Sequence, residues 1–302
     1  MASVTVGSAA QSLEKHRRSF SLLFYRAVRD LKPVWMLEDM RTMEAFHQEE
    51  DAGCSRTYSP SEALLYAIVH DHQLYARHLL SRYMEEALAR PGDRFCCCPS
   101  PAAPHLAMAV RYDRLYILSL ILQETHRTTS ASSSSSSTSS TSSCMDRSGC
   151  FHLEDGRSPL HLACELLRPE AVFMLLGSGS CPLTPDRDGL TPLDVILEKL
   201  QTHGAQTQSR RQCLDNLLMF MPKVDFKMKG PLCREPELWS DLLGEETYKY
   251  LVERRPAPLV LTAMQTVLRQ LSPATFPDSL QELPIPSSLK PPGLPVSQKV
   301  VV

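Results

Sequence analysis

The stretch SPLHLACELLRPEAVFMLLGSG, residues Ser158 to Gly179, contains the signals for two short helices. Ser158 followed by Pro159 is typical of a helix start, because a hydroxyl caps the first amides and proline lacks only a donor that the first turn does not use. Pro169 ends the first helix, since the residue before a proline disfavours helical geometry. Apolar residues recur at helical spacing in both segments, and Gly177 and Gly179 predict a left-handed turn at the end. The stretch predicts a helical hairpin, which cannot bury its apolar side alone.

The same helix start recurs downstream in DGLTPLDVILEKL, where Pro192 follows Pro159 by 33 residues. This period, and the S/T-P-L-H-like start, resemble the ankyrin repeat, in which stacked helical hairpins bury a continuous core. The resemblance implies an all-α ankyrin-repeat helical solenoid with β-turn fingers at Asp155-Gly156 and Asp188-Gly189. Leu167 stands where the family usually has a glycine between its helices, which predicts an altered connection there.

Weaker copies share the spacing between a small residue and a later apolar pair. Ala163 precedes Leu175-Leu176 by twelve and thirteen residues, as Ala67 precedes Leu79-Leu80 and Ala109 precedes Ile121-Leu122, whereas in the last unit Ile196 takes the alanine's place and Leu217-Leu218 come nine residues late. We therefore predict four degenerate repeats within residues 56–222. Residues 1–55 contain an alanine and a proline six positions apart, Ala27 and Pro33, and are interpreted as an N-terminal helical cap with a partly disordered start.

Composition excludes several classes of protein. The net charge is −2, which gives no general attraction to nucleic acid or to anionic lipid. No apolar run approaches the roughly 18 residues needed to cross a bilayer, and the N-terminus lacks the pattern of a secretory signal. The ten cysteines are then interpreted as thiols of a reducing compartment. We expect a protein of the cytosol.

Two biased stretches carry no clear chemistry. The tract TTSASSSSSSTSSTSS predicts a disordered insertion over residues 128–147, with a phosphorylation target as the alternative. The adjacent thiols Cys96–Cys98 lack the C-x₂-C spacing and second pair of a zinc site, so an inert loop is favoured over metal binding and over lipidation or redox chemistry. His161 and Cys164 lie three apart, but we expect His161, as part of the repeat start, to hydrogen-bond neighbouring turns. With no phosphate loop, zinc motif or nucleophile elbow present, we expect no catalytic site, metal or cofactor.

The repeat signal stops before the last eighty residues. Residues 223–255, with ELWSDLLGEETYKYLVER, are interpreted as a helical cap on the stack. The next segment, PAPLVLTAMQTVLRQL, predicts an amphipathic helix because Leu259, Ala263, Val267 and Leu271 recur every four residues, with Met264 and Leu268 widening the stripe.

This helix, followed by FPDSLQELPIPSSLKPPGLP, resembles a SOCS box, the C-terminal module that couples ankyrin-type receptors to elongin B/C and a cullin. The resemblance covers residues 256–295, and 296–302 are expected to be a disordered tail. In that family the first half binds elongin, and the matching positions here are Pro258, Leu259, Ala263 and Val267, with Leu259 as the anchor. The second half is read by cullin-5 and matches Leu283, Pro284, Ile285, Pro286 and Leu289. Pro291-Pro292-Gly293 replace the usual continuation, so cullin-2 is the second candidate.

Together these resemblances imply a non-catalytic substrate receptor of a cullin–RING ubiquitin ligase, which holds a protein substrate through its ankyrin repeats. The candidate substrate-facing residues are the fingertip positions Asp155, Arg157, Asp188 and Leu190. The alternative is an ankyrin scaffold that organises a partner without directing it to ubiquitin. A thiol or metal enzyme at Cys96–Cys98 is the third class.

Overall fold

The computed structural model describes residues 22–42, 58–92, 104–132, 146, 157–203 and 208–286. The predicted disordered start, most of the Ser-rich insertion, Cys96–Cys98 and the predicted tail lie outside these ranges. Every regular element within them is a helix, which confirms the predicted all-α ankyrin-repeat fold. The chain divides into two compact units, residues 1–95 and 96–302, and this boundary falls between the first and second predicted repeats.

The first unit contains two helical pairs. Its elements are residues 22–29 (α1), Val34–Thr42 (α2), Pro60–Val69 (α3) and Gln73–Tyr83 (α4), with a 3₁₀ turn at Met84–Glu86. Ser59 and Glu62 start α3 with a capping box, in which each side chain accepts the other residue's backbone N–H at 3.1 Å.

Glu38 on α2 fastens that helix to α4. Its carboxylate accepts hydrogen bonds from the hydroxyls of Tyr75 at 2.8 Å and Tyr83 at 2.6 Å, and from Arg41 at 2.9 and 2.8 Å. Burial alone would raise the pKa of Glu38, but the bonds from Arg41, Tyr83 and Tyr75 stabilise the anion and lower that pKa to about 2. The carboxylate is therefore charged at neutral pH.

The second unit is a stack of hairpins followed by short helices. Its elements are His105–Arg111 (α5), Leu115–Ser132 (α6), Pro159–Glu165 (α7), Pro169–Gly177 (α8), Pro192–His203 (α9), Gln208–Met219 (α10), Lys229–Arg234 (α11), Pro236–Leu243 (α12), Glu245–Leu251 (α13), Leu259–Gln270 (α14), a 3₁₀ turn at Pro273–Thr275, and Asp278–Gln281 (α15). Because α6 continues to Ser132, the first five residues of the predicted insertion are helical.

Two rows of helices make the core of this unit. The first helices of successive hairpins, α5, α7 and α9, pack side by side, and so do the second helices, α6, α8 and α10. The fully buried residues of α8, among them Val172, Phe173 and Leu175, lie in the middle of the second row. Each hairpin thus buries against its neighbours the apolar side that it could not bury alone.

The same turn geometry connects the two helices of a hairpin in each unit. In each turn the carbonyl of an alanine accepts the N–H of the residue five positions later. The residue four positions after that alanine has a left-handed backbone, with φ between 51° and 58°. The alanine and the left-handed residue are Ala27 and Leu31, Ala67 and Asp71, Ala109 and Asp113, and Ala163 and Leu167. The prediction of an altered connection at Leu167 is therefore wrong, because leucine adopts the same turn as the residues at the other three positions. The same turn in the predicted N-terminal cap shows that α1 and α2 form a hairpin of the repeat type.

The last predicted repeat accommodates eight of its nine extra residues by lengthening its helices. Both α9 and α10 have 12 residues, whereas α7 has seven and α8 has nine. Leu217 and Leu218 are buried, as their predicted equivalence to Leu175-Leu176 requires.

Candidate partner-docking surface

Helix α14 buries one side and exposes an apolar one. Met264, Gln265 and Leu268 are buried, and the helix packs on α10. On the opposite side Leu259 is 85% exposed and Val260 63% exposed, Ala263 is exposed and Val267 is half-buried. We call Leu259, Val260, Ala263 and Val267 the docking stripe.

Helix geometry explains why these residues fall together. At about 100° per residue, Leu259, Ala263 and Val267 span an arc of about 80°, whereas Gln265 lies on the far side of the helix. The sequence predicted one broad apolar stripe that included Met264 and Leu268. The structure divides it, because Met264 and Leu268 are buried, whereas Leu259 and Ala263 are exposed and Val267 and Leu271 are half-buried.

Gln265 sets the rotation of α14. Its amide nitrogen donates to the backbone carbonyls of Leu218 and Met221, each at 2.9 Å, at the C-terminal end of α10, where the Leu218 carbonyl also accepts the N–H of Met221 at 3.2 Å. Burial raises the pKa of the neighbouring Tyr250 hydroxyl, and the Gln265 side chain partly offsets that rise. Rotating the docking stripe inward would break these bonds, so the stripe is held outward.

The predicted cullin-reading segment follows α15. Leu283 and Ile285 are half-buried, whereas Pro284 and Pro286 are exposed. The N–H of Ile285 donates to the carbonyl of Leu283 at 2.8 Å, which makes a tight turn around Pro284. Leu289 lies outside the described residues.

The candidate fingertip residues occupy different environments. Arg157 pairs with Glu165 at 2.8 Å and Asp186 at 3.4 Å, so its guanidinium supports the finger itself. Leu190 is half-buried, and its carbonyl accepts the N–H of Asp186 at 2.8 Å. Asp188 is exposed, whereas Asp155 lies outside the described residues. Among the described candidates, Asp188 is the side chain that the finger presents most openly.

His161 holds the finger that follows it, as the sequence predicted. Its Nε2 donates to the carbonyl of Leu190 at 3.0 Å, and its Nδ1 lies 2.7 Å from the hydroxyl of Ser158. Burial lowers the pKa of His161, so the ring is neutral at neutral pH. Burial likewise raises the pKa of Cys164, which disfavours the thiolate that a nucleophile needs.

Asp194 occupies the position of His161 in the next repeat. Its carboxylate accepts the backbone N–H of Lys227 at 3.2 Å and of Met228 at 2.7 Å, and both the N–H and hydroxyl of Thr191 at 2.8 Å. His161 thus holds the segment that follows its repeat by donating to a backbone carbonyl, whereas Asp194 holds the segment after its own repeat by accepting backbone N–H groups.

The described part of the chain contains no cluster of His, Cys, Asp and Glu that could hold a metal ion. Among the helices of the same ranges, none is long and apolar enough to cross a membrane.

The sequence analysis missed two features of this candidate surface. Val260 extends the docking stripe, and its place next to Leu259 in an apolar helix start could have indicated this from the sequence. Gln265 interrupts the apolar side of α14, and a buried glutamine in such a place signals an obligatory hydrogen-bond partner.

No protein-family model matches the chain. A protein similar to it over nearly its full length is ankyrin repeat domain-containing protein 9 from Mus musculus. The two are 40% identical over 311 residues, which cover 94% of this chain and 92% of the mouse protein. Because this identity extends over nearly the full length of both proteins, the chain belongs to the family of ankyrin repeat domain-containing protein 9.

Proposed function

We propose that this ankyrin-repeat protein is the substrate-receptor subunit of a cullin–RING E3 ubiquitin ligase. In this proposal elongin C binds the docking stripe, a cullin, with cullin-5 preferred to cullin-2, binds the segment Leu283–Pro286, and the ankyrin hairpins hold a protein substrate. The chain has no catalytic role of its own. The observation that carries the proposal is the 85% exposure of Leu259 on a helix whose rotation Gln265 fixes.

The energetics of the docking stripe support a protein partner. Burying an exposed leucine side chain is worth about 2 kcal/mol, and Val260 adds a similar amount. Ala263, between Leu259 and Val267 on the stripe, is small enough for a partner helix to approach the backbone. An exposed leucine alone is common on surfaces, but an apolar stripe turned outward while a glutamine is buried is the arrangement of a binding site.

The proposed receptor accelerates ubiquitin transfer by proximity. Tethering a substrate beside the ubiquitin-loaded enzyme raises the effective concentration of its lysines to the order of millimolar. No covalent intermediate forms on this chain in such a mechanism. Its contribution is therefore measured as binding and geometry.

The test is capture of purified elongin B/C by the full chain. Leu259→Asp places a charge in an apolar pocket and should weaken capture by more than about 30-fold. The matched control is Leu74→Asp, because Leu74 is 66% exposed on α4 and lies outside the stripe. The control should capture elongin B/C as the wild type does. A wild-type chain that captures no elongin B/C would refute the proposal and leave the plain ankyrin scaffold as the function.

A further inference from the structure

The C-terminal segment crosses the second row of helices in the repeat stack. Helix α14 packs on α10, Phe276 contacts Phe173 of α8, and the 3₁₀ turn Pro273–Thr275 packs beside α6. The segment therefore touches three successive hairpins, and its middle anchor is an aromatic ring.

Phe276 lies where α8 has no side chain. A Cβ added to Gly177 would come closer than 3.0 Å to three atoms of the Phe276 ring, a distance that real Cβ contacts do not reach. Gly177 is the last residue of α8 and has no left-handed φ, so it does not serve the turn that the sequence predicted; Gly179, with φ 98°, does. Gly177 is required here by the close approach of Phe276.

Aromatic neighbours complete the seat of the ring. The centroid of Phe276 lies 5.3 Å from that of Phe173 and 6.4 Å from that of Phe220, and Phe276 is 4% exposed. Four residues later Leu280 is fully buried. Phe276 and Leu280 are thus both buried ahead of the segment Leu283–Pro286, and we call the contact of Phe276 with Gly177 the latch.

We propose that Phe276 is a positioning residue, and that the latch fixes the segment Leu283–Pro286 in one position relative to α14, so that both are presented to the ligase together. Leu283 follows Phe276 by seven residues. Phe276 and Leu280 are both buried ahead of it, so expelling the ring leaves less buried apolar surface to hold the segment. The docking stripe does not depend on the latch, because Met264, Gln265 and Leu268 hold α14 on α10 directly. This inference rests on the proposed function for the identity of the partners.

The test compares two glycine-to-alanine substitutions in the full chain. Gly177→Ala should expel Phe276, whereas Gly230→Ala is the matched control, because Gly230 lies in helix α11 with nothing within 4 Å of an added Cβ. Hydrogen exchange at residues 278–286 should rise by about tenfold or more in Gly177→Ala and stay unchanged in Gly230→Ala. The exchange of α7 and α9 should stay unchanged in both, which reports that the repeats remain folded.

Two binding affinities distinguish a positioning role of Phe276 from a role in folding alone. Gly177→Ala should keep its affinity for purified elongin B/C within about twofold, while affinity of that complex for purified cullin-5 or cullin-2 should fall by about tenfold or more. Phe276→Ser, which changes no residue of the repeat helices, should give the same split, and the double variant should be no worse than either single one.

If both variants showed wild-type hydrogen exchange at residues 278–286, or wild-type affinity for the cullin, the proposed role of the latch would be overturned. If the wild-type chain captured no elongin B/C, the proposed function would fail, and the exchange measurement would still decide whether Phe276 holds the segment.

Discussion

Gln265 is tied to Leu218 by a 2.9 Å hydrogen bond from its side-chain amide to the backbone carbonyl, across 47 residues of sequence. A second bond of the same length goes to the carbonyl of Met221. Helix α14 is therefore fixed by polar contacts whose direction matters, in addition to apolar contacts that would tolerate some rotation. This is the reason that the apolar residues Leu259 and Val260 remain exposed.

Replacing Gln265 by leucine should destabilise the C-terminal segment by about 1–3 kcal/mol, because the buried carbonyl of Met221 loses this donor and that of Leu218 keeps the N–H of Met221 but loses the amide. Hydrogen exchange of the α14 amides and urea unfolding would measure the effect. Gln270→Leu, at the exposed end of the same helix, should change the free energy of unfolding by less than about 0.5 kcal/mol. Equal effects of the two substitutions would show that Gln265 does not set the rotation.

Leu167→Gly should change the free energy of unfolding by less than about 0.5 kcal/mol. Glycine relieves the cost of the left-handed φ of 54°, but it loses the apolar contacts of a half-buried side chain and has greater entropy when unfolded. Thermal unfolding would show little shift in Tm. Leu166→Gly is the matched control, since Leu166 has an ordinary φ of −81° and should lose stability on substitution. A loss at both positions would contradict the strain assigned to Leu167.

Acid should loosen α2 through Glu38. The folded pKa of Glu38 is lowered to about 2 from its ordinary value of 4.5, so the stabilisation is complete above pH 4.5 and is lost as the pH falls from there toward 2. With a side chain 16% exposed, the contribution is at most about 3 kcal/mol. Hydrogen exchange of α2 at pH 7 and pH 3 would measure it.

Glu38→Gln should remove most of this pH dependence and loosen α2 at pH 7. Asp39→Asn, at the neighbouring exposed position of α2, should leave the pH dependence in place. An unchanged dependence in Glu38→Gln would assign the acid effect to other groups.

The sequence predicted the hairpins well because their information is local. A capping serine, a proline and a small residue at a fixed offset determine each turn, so Ala67, Ala109 and Ala163 gave the correct phase. The rotation of α14 was not predictable in this way, since Leu259 and Met264 are both apolar and periodicity does not say which of them faces the stack. The contact of Phe276 with Gly177 joins residues 99 positions apart, and no local pattern marks it. Such choices depend on packing between distant segments.

Asp194→Asn should cost about 2–3 kcal/mol, although it changes neither size nor shape. One carboxylate oxygen accepts the amide of Met228 and the other accepts Thr191 and Lys227, so an amide NH₂ in either place faces donors and leaves a buried N–H without its acceptor. Urea unfolding at pH 7 would measure the loss. Asp188→Asn, the same change on an exposed fingertip, should be within about 0.5 kcal/mol of the wild type. Equal stability of the two variants would mean that the charge of Asp194 does not hold the segment at Lys227 and Met228.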